Sequence, residues 1–596
     1  MPSDWINLTT HRLDIYNEEH AKSEFLNQFE NLYRQNIYDS IALKALPTAY
    51  DYIRLGHPLS SVLEWMVAQE MELPPEQVIS FDSQTMPLLA VLRTNLLAGK
   101  NTRIIYKDTL PAQLDVKLLE EVYHYNFELV EASAIDETVA FNGSTVYVEQ
   151  WDDEMTLSRK RNTDFHIYTY QHLGSIILIE NASKNYVGDI QHVRRRETVA
   201  MTPSNSKTLL EAMVNSTSIM PQDIDSLHKN SIATLINTIT NTTAQPLFAS
   251  SGLSMQYAIM MGLVDDAQRQ FPDKRIKFVV PPNCYGGTND QARRVAAAND
   301  HIDIVDLPVD GDNDMVQSTH LVLDQIAKED AIPYIIAEIP TNPRVEVPDL
   351  IALKEALSQE RKTPNGSTAV APVFILDQTF CPNVHFLGID DILSSVKAIA
   401  YASGSKFPSG GKCTAGYAVM NDKAASLVAV VEKHLLLCGN EATAQQYEIL
   451  AQQLPSMNQR IADAYVNTRE FVNFIEEVLP DAKINFVSEE LASHGFTPSV
   501  FSLDLPTQGD TAQEREDYKR EQNLKLINMM ITQIPDESKY CVSYGQLKGC
   551  YWTIPATSTQ GTTKESDKDY IARVSVSPDL DLDAHKRVFK EFVDGM

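Results

Sequence analysis

The sequence predicts an α/β protein: a large domain with a mostly parallel sheet, a small C-terminal α+β domain and an α/β insertion near the N-terminus. Two observations carry this. Between Leu247 and Cys438, short β-branched runs alternate with helix-length amphipathic segments, the rhythm of right-handed β-α-β units. The 596 residues, 43% of them hydrophobic, also exceed one ordinary core and suffice for two to four domains. The boundaries read from pattern are 1–77 for an N-terminal arm and helix, 78–246 for the inserted α/β region, 247–440 for the large domain, and 441–596 for a linking helix and the C-terminal domain.

Composition narrows the function classes. Fifty Lys and Arg stand against 80 Asp and Glu, a balance of −30, which argues against phosphate-backbone binding and so against nucleic-acid partners. No apolar run is long enough to span a bilayer, and the first twenty residues lack a basic-then-apolar signal pattern. Six cysteines are scattered without metal-ligand spacing. The expectation is a cytoplasmic protein with reduced thiols and no metal. The one basic cluster, Arg194 to Arg196, reads as a solvated face.

Taken in order, residues 12–45 carry helical periodicity and acidic charge. Tyr52 and Arg54 lie two apart, so in an extended segment they point the same way and can grip a phosphate. His57-Pro58 closes that segment. A helix is expected from Ser60 or Ser61, with a serine cap and Glu64 at a capping offset. Met86–Ala98 reads as an amphipathic helix, 102–108 as a strand, 114–123 as a helix and 127–132 as a strand. The same order recurs at 254–307, which reads as the generic rhythm of α/β proteins rather than a duplicated half-unit. Residues 141–185 are strand-rich, and 198–246 read as a connector with helical pieces.

From Leu247 the pattern sharpens. Ser250-Ser251-Gly252-Leu253 stands between a strand and a helix, where the amides of Gly252 and Leu253 form an anion site and Gly252 permits close backbone approach. Tyr285 ends the next strand before a Gly-Gly turn. Later strands end at Glu338, ahead of Asn342-Pro343, and at Asp377. Then Val396–Lys412 begins as a buried strand and breaks into a Ser- and Gly-rich loop holding Ser403, Ser405 and Lys406. A lysine there sits where α/β enzymes keep ligands, as an amine able to form a Schiff base with hydroxyls beside it for a phosphate. Lysine, strand-end carboxylate, aromatic face and anion cradle together suit one cofactor, pyridoxal 5'-phosphate. A protonated ring nitrogen against Asp377 is expected to lower the carboxyl pKa.

At these residues the sequence resembles the Cys/Met-metabolism (trans-sulfuration) family of fold-type I pyridoxal-phosphate enzymes, which includes cystathionine γ-synthase and methionine γ-lyase. The resemblance covers about 50–72, 250–438 and 538–596. The family's Y-x-R segment appears as Tyr52 and Arg54, its S-S-G-M turn as Ser250 to Leu253, and its Y-G-G-T as Tyr285 to Thr288. Its E-x-P-x-N-P is intact from Glu338 to Pro343, its V-D-N-T-F appears as Leu376 to Phe380, and its S-x-T-K-Y as Ser403 to Phe407. Near the C-terminus S-L-G becomes Ser543-Tyr544-Gly545, and R-L-S-V-G begins at Arg573.

The resemblance implies a fold-type I transferase fold. It implies Lys406, Tyr285 and Asp377 as catalytic, with the cofactor also held by Tyr52, Arg54, Gly252, Leu253, Ser403 and Ser405. Asn342, Ser543 and Arg573 would bind the amino-acid substrate, with the arginine on its carboxylate. Tyr52 and Arg54 would reach a neighbouring subunit's cofactor, so a homodimer or homotetramer with an intersubunit site is implied. The implied activity is γ-elimination or γ-replacement on a methionine- or O-acylhomoserine-like substrate, the alternatives being a β-eliminating C–S lyase or a cofactor-free pseudoenzyme that binds partners. Val542 stands where cystathionine-handling relatives carry Glu. The insertion between Arg54 and Ser250 is a departure that bears on where the arm can reach.

Overall fold

The computed structural model describes residues 2–6, 20–50, 52–134, 141–151, 157–160, 162–215, 217, 226–309, 314–540, 546–555 and 569–596. Three sheets organise them. The first has six strands, β1 (Val78–Phe81), β2 (Thr102–Tyr106), β3 (Phe127–Glu131), β4 (Ser144–Gln150), β5 (Phe165–Tyr170) and β6 (Gly174–Ile179), in the order β1-β6-β5-β4-β2-β3. Its helices are α1 (Ala21–Arg34), α2 (Ser40–Lys44), α3 (Pro58–Glu70), α4 (Met86–Leu97), α5 (Val116–Glu121), α6 (Val187–Arg196) and α7 (Pro203–Asn215); α8 (Ser226–Thr240) leads out of this layer.

The second sheet has seven strands: β7 (Leu247–Ala249), β8 (Ile276–Val280), β9 (Ile302–Asp306), β10 (Ile332–Glu338), β11 (Val373–Asp377), β12 (Ala398–Ser403) and β13 (Gly416–Met420). Their order is β7-β13-β12-β11-β10-β8-β9, parallel from β12 to β9, with β13 antiparallel to both neighbours. The helices are α9 (Gly252–Gln270), α10 (Gly286–Ala297), α11 (Met315–Lys328), α12 (Leu350–Ser358), α13 (Val428–Leu437), α14 (Ala444–Gln453) and α15 (Met457–Val478). The third sheet comprises β14 (Lys483–Asn485), β15 (Val500–Asp504), β16 (Ser538–Tyr540), β17 (Gly549–Pro555) and β18 (Tyr570–Ser575), with α16 (Glu489–Ser493), α17 (Ala512–Gln533) and α18 (Leu582–Asp594).

Strand alternation assigns each face to a different core, because successive side chains point opposite ways. On β10, Tyr334 and Ile336 face the first layer, whereas Ile335 and Ala337 face the outer helices. The inner core fuses the two large sheets: Ile79 and Phe81 of β1, α4, α9 and α13 share one apolar cluster. That is why α4, expected to be amphipathic, buries nine residues of its twelve. The far face of the first sheet packs on α1, α3 and α7. Helix α8, expected as connector, packs Ile232 and Ile236 on the outer face of the second sheet.

Three local expectations change. Tyr52 to Leu55 form a turn, not an extended segment, closed by the Leu55 amide on the Tyr52 carbonyl at 2.9 Å. Helix α3 starts at Pro58, whose missing N–H suits the first position, and is capped by His57. The Ser60 amide donates to His57 Nδ1 at 3.1 Å, while the His57 amide donates to Ser60 Oγ at 3.0 Å. Burial lowers the His57 pKa to about 4, keeping Nδ1 an acceptor.

The basic cluster is not a solvated face either. Arg194 is fully buried and its guanidinium meets Glu64 at 2.6 Å, while Lys22 reaches the other oxygen of Glu64 at 2.5 Å. Arg196 is buried on Asp290 of α10 at 2.7 Å. Glu64 therefore anchors an ionic cluster that ties α1, α3, β1 and α6 together, rather than capping its own helix.

Candidate active site

One cavity of about 290 Å³ lies at the carboxyl ends of β10, β11 and β12, over the N-terminus of α9. That is the ligand position the architecture favours. The Tyr52–Arg54 turn closes one side, and Tyr540, Trp552–Pro555, Tyr570 and Arg573 from the third sheet close another. Tyr52, Arg54, Gly252, Leu253, Tyr285, Asn342, Asp377, Ser403, Ser405, Lys406 and Arg573 all line it. Ser543 and Val542 lie outside the described residues.

At one end stands an anion cradle. The Ser251 hydroxyl caps α9 by accepting the Ser254 amide at 3.0 Å, which leaves the first turn of the helix facing the cavity. A Cβ on Gly252 would sit 3.0 Å from the Ser403 Cα, so any larger residue would press the start of the helix away from β12. Beside them Ser405 Oγ is buried with no hydrogen-bond partner among the described residues, as are both polar atoms of Asn283. Buried polar groups are rarely left so, and these two line the cavity. Lys406, 8% exposed, places Nζ 5.3 Å from the centre of the Tyr52 ring.

The floor carries two carboxylates. Asp377 and Glu338 are register partners on adjacent strands β11 and β10. Burial, and for Glu338 the neighbouring Asp377, push both pKa values up; the lowering expected for Asp377 belongs to a cationic ring nitrogen set beside it. Asp377 Oδ1 accepts the Thr379 amide at 2.9 Å. Glu338 spans two site residues, accepting the Tyr285 amide at 2.7 Å and Asn342 Nδ2 at 2.9 Å. Asn342 Oδ1 in turn accepts from Arg573 Nη1 at 2.9 Å, and Arg573 also donates to the Pro343 carbonyl at 2.8 Å. Arg573 is flanked by Trp552 and Phe380. Glu338 was legible as a motif residue but not as the hub of this network, and nothing local in β17 pointed to Trp552.

Tyr285 gathers the positive charge. Burial alone would raise its hydroxyl pKa, but Arg54, Arg196, Lys406 and Arg195 outweigh that and lower it. Arg54 Nη2 donates to the Tyr285 hydroxyl at 3.3 Å, and its Nη1 donates to the Arg195 carbonyl. Tyr52 and Arg54 thus enter the cavity from the chain that also carries Lys406. The resemblance implied a neighbouring subunit in this role; here the intervening first layer brings the arm back within one chain.

The residues fit pyridoxal phosphate. An unpartnered hydroxyl and a helix N-terminus suit a phosphate, and the buried Asp377 carboxyl suits a cationic ring nitrogen, whose charge would offset the effect of burial on its pKa. Among the described residues no cluster of three His, Cys, Asp or Glu could hold a metal, and no helix is long and apolar enough to cross a membrane.

No family model matches the chain, and no curated protein matches it. Among solved structures it is similar to a methionine gamma lyase from Micromonospora echinospora, at 15% identity over 62% of this chain and 87% of that one, with a TM-score of 0.45. It is similar also to cystathionine gamma synthase from Xanthomonas oryzae pv. oryzae in complex with cystathionine, at 16% over 64% and 90%, TM-score 0.46. A third is cystathionine gamma-lyase from yeast, at 16% over 64% and 89%, TM-score 0.46.

Proposed function

We propose that the chain is a pyridoxal-phosphate-dependent enzyme acting on a sulfur-containing or O-activated amino acid by γ-elimination or γ-replacement. The observation that carries this is one cavity lined by Lys406, Asp377 and Arg573, with an unsatisfied hydroxyl beside the α9 N-terminus. When bound, pyridoxal phosphate supplies a protonated ring that takes up electron density from a substrate α-carbon. Asp377 would keep that ring nitrogen protonated, and the opposite charge would bring its own raised pKa back down. Ser405, Ser403, the Gly252 and Leu253 amides, Tyr52 and Arg54 would hold the phosphate. Arg573, steadied by Asn342, would take the substrate carboxylate in a two-point grip.

Lys406 Nζ would take the proton from Cα and, after giving it up, one from Cβ, so that the electron pair left at Cβ can expel the γ-substituent. Tyr285, its hydroxyl made more acidic by the surrounding cations, would stack on the ring and assist that transfer. Trp552 and Phe380 exclude water beside Arg573 and strengthen its hold. The test is Lys406→Ala in the full chain. It should lose both turnover and the borohydride-fixed pyridoxyl label; full turnover with an unchanged visible band would sink the proposal. Product analysis, 2-oxobutanoate against pyruvate, separates γ- from β-elimination.

A further inference from the structure

We propose that the first layer is a degenerate second copy of the Lys406-bearing layer, docked on it by a pseudo-two-fold axis, and that it completes the single site in cis. The match runs element by element. Each layer opens with a short strand, β1 or β7, then a helix approached through a serine, Ser83 two residues ahead of the Thr85 N-cap of α4 and Ser251 at the N-cap of α9. Ser83 Oγ accepts the Met86 amide at 2.9 Å as Ser251 Oγ accepts the Ser254 amide at 3.0 Å. Each continues strand-helix-strand, with β3 and β9 as edge strands and β2 and β8 next to them.

Each layer closes on a strand antiparallel to both neighbours, β6 or β13. A six-residue 3-10 segment and a ten-residue helix follow in both, Asn181–Tyr186 then α6, and Asp422–Leu427 then α13. In each, the next helix starts sixteen residues after that one starts, at Pro203 after Val187 and at Ala444 after Val428. Even the turn bond recurs: the Asp82 amide meets the Val199 carbonyl at 3.2 Å, and the Ser250 amide meets the Asn440 carbonyl at 2.8 Å.

The docking runs both ways, although the donors on the two sides come from different positions in the two layers. Beyond α13, Ser83 and Thr85 of the first layer cap the Cys438 and Leu437 carbonyls at 2.6 and 2.7 Å. Beyond α6, Gln291 and Asn440 of the second layer cap the Arg196 and Glu197 carbonyls at 2.7 and 2.8 Å. The helices α4 and α9 share the core between.

What the first copy lacks is the chemistry. Among the described residues it has no strand equivalent to β11, which carries Asp377, since β5 pairs β4 directly. Where the second layer has the Lys406 loop between β12 and β13, the first has a hairpin turn, with Tyr170 paired to Gly174. Gln84 stands where Gly252 opens the cradle. Its surviving contribution is positional: the Arg195 carbonyl holds Arg54 against Tyr285 in the other layer's cavity. One chain is thus a complete functional unit with one lysine site.

The first experiment rests on the cofactor reading above; the second does not. Differently tagged Arg54→Ala and Lys406→Ala full-length chains are co-expressed, and borohydride-fixed pyridoxyl label per Arg54→Ala chain is titrated against pyridoxal phosphate. The expected result is an affinity about tenfold below wild type, unchanged by the Lys406→Ala partner; restoration to wild-type affinity would overturn the proposal. In the second, Ser83→Cys is combined with Gly439→Cys. A Cβ on Gly439 lies 3.0 Å from Ser83 Oγ, within reach of a disulfide, although its φ of 54° strains any side chain placed there. Oxidation should yield a link within single chains on a non-reducing gel, and linked dimers or no link would overturn cis docking. If wild-type chains take no label, the cofactor reading fails while this second result still decides the pairing.

Discussion

Replacing Glu64 by Gln should unfold the protein more than almost any other single change outside the cavity. Its carboxylate is fully buried, and the side chains of its two partners, Lys22 and Arg194, are 10% and 1% exposed. The Ser80 amide and hydroxyl add two hydrogen bonds at 2.8 Å. Removing one partner of a buried ion pair leaves unpaired charge in the core, at about 3–5 kcal/mol. An independent route agrees. The Glu64 pKa falls from 4.5 to about 2, since Lys22, Arg194 and Ser80 overcome the opposing effect of burial. At about 1.4 kcal/mol per unit, that difference is worth about 3 kcal/mol at neutral pH. Because the folded pKa is the depressed one, this stability is full above pH 4.5 and is lost as pH falls toward 2. Lys22, whose own pKa burial lowers, returns part of the gain. The assay is urea denaturation at pH 7 of wild type, Glu64→Gln and the triple variant Glu64→Leu, Lys22→Met, Arg194→Met. The single change should lose about 3 kcal/mol and the triple should recover most of it. A loss below about 1 kcal/mol for Glu64→Gln would refute the reasoning.

Two further outcomes follow from single atoms. Ser405→Ala should weaken pyridoxal phosphate about tenfold or more, leave phosphate-free pyridoxal unaffected, and not destabilise the cofactor-free chain, since Ser405 Oγ has no partner among the described residues to lose. Equilibrium dialysis with both ligands, alongside melting, checks all three. His57→Asn keeps a capping side chain but removes a titration. With the folded pKa at about 4 against 6.5 when unfolded, His57 contributes stability above pH 6.5 that is lost as pH falls toward 4. The stability of wild type minus that of the variant should therefore fall by about 3 kcal/mol as pH drops from 6.5 to 4 in denaturation at stepped pH.

The second sheet was legible because its strands are continuous apolar runs and its cavity residues fall at their ends, where Gly252, Tyr285, Asp377 and Lys406 each leave a local mark. What stayed hidden depends on partners far along the chain. Arg194 to Arg196 read as solvated because Glu64 and Asp290, which bury two of them, lie 130 and 94 residues away. Beyond burial, the rise in the Glu338 pKa comes from Asp377, a neighbour only once β10 and β11 pair. Tyr52 and Arg54 were correctly paired with each other, yet their turn and their destination follow from the docking of the first layer. The kinship of 78–215 to the second layer rests on strand order and hydrogen-bonded turns, which survive after residue identity is gone.

That Arg54 and Lys406 of the same chain line one cavity has a genetic consequence. In an assembly whose sites are shared between chains, a defective copy poisons the healthy copies it joins. On the cis site proposed above, an inactive allele would silence only its own product, so a cell carrying one good and one bad gene would keep half its output.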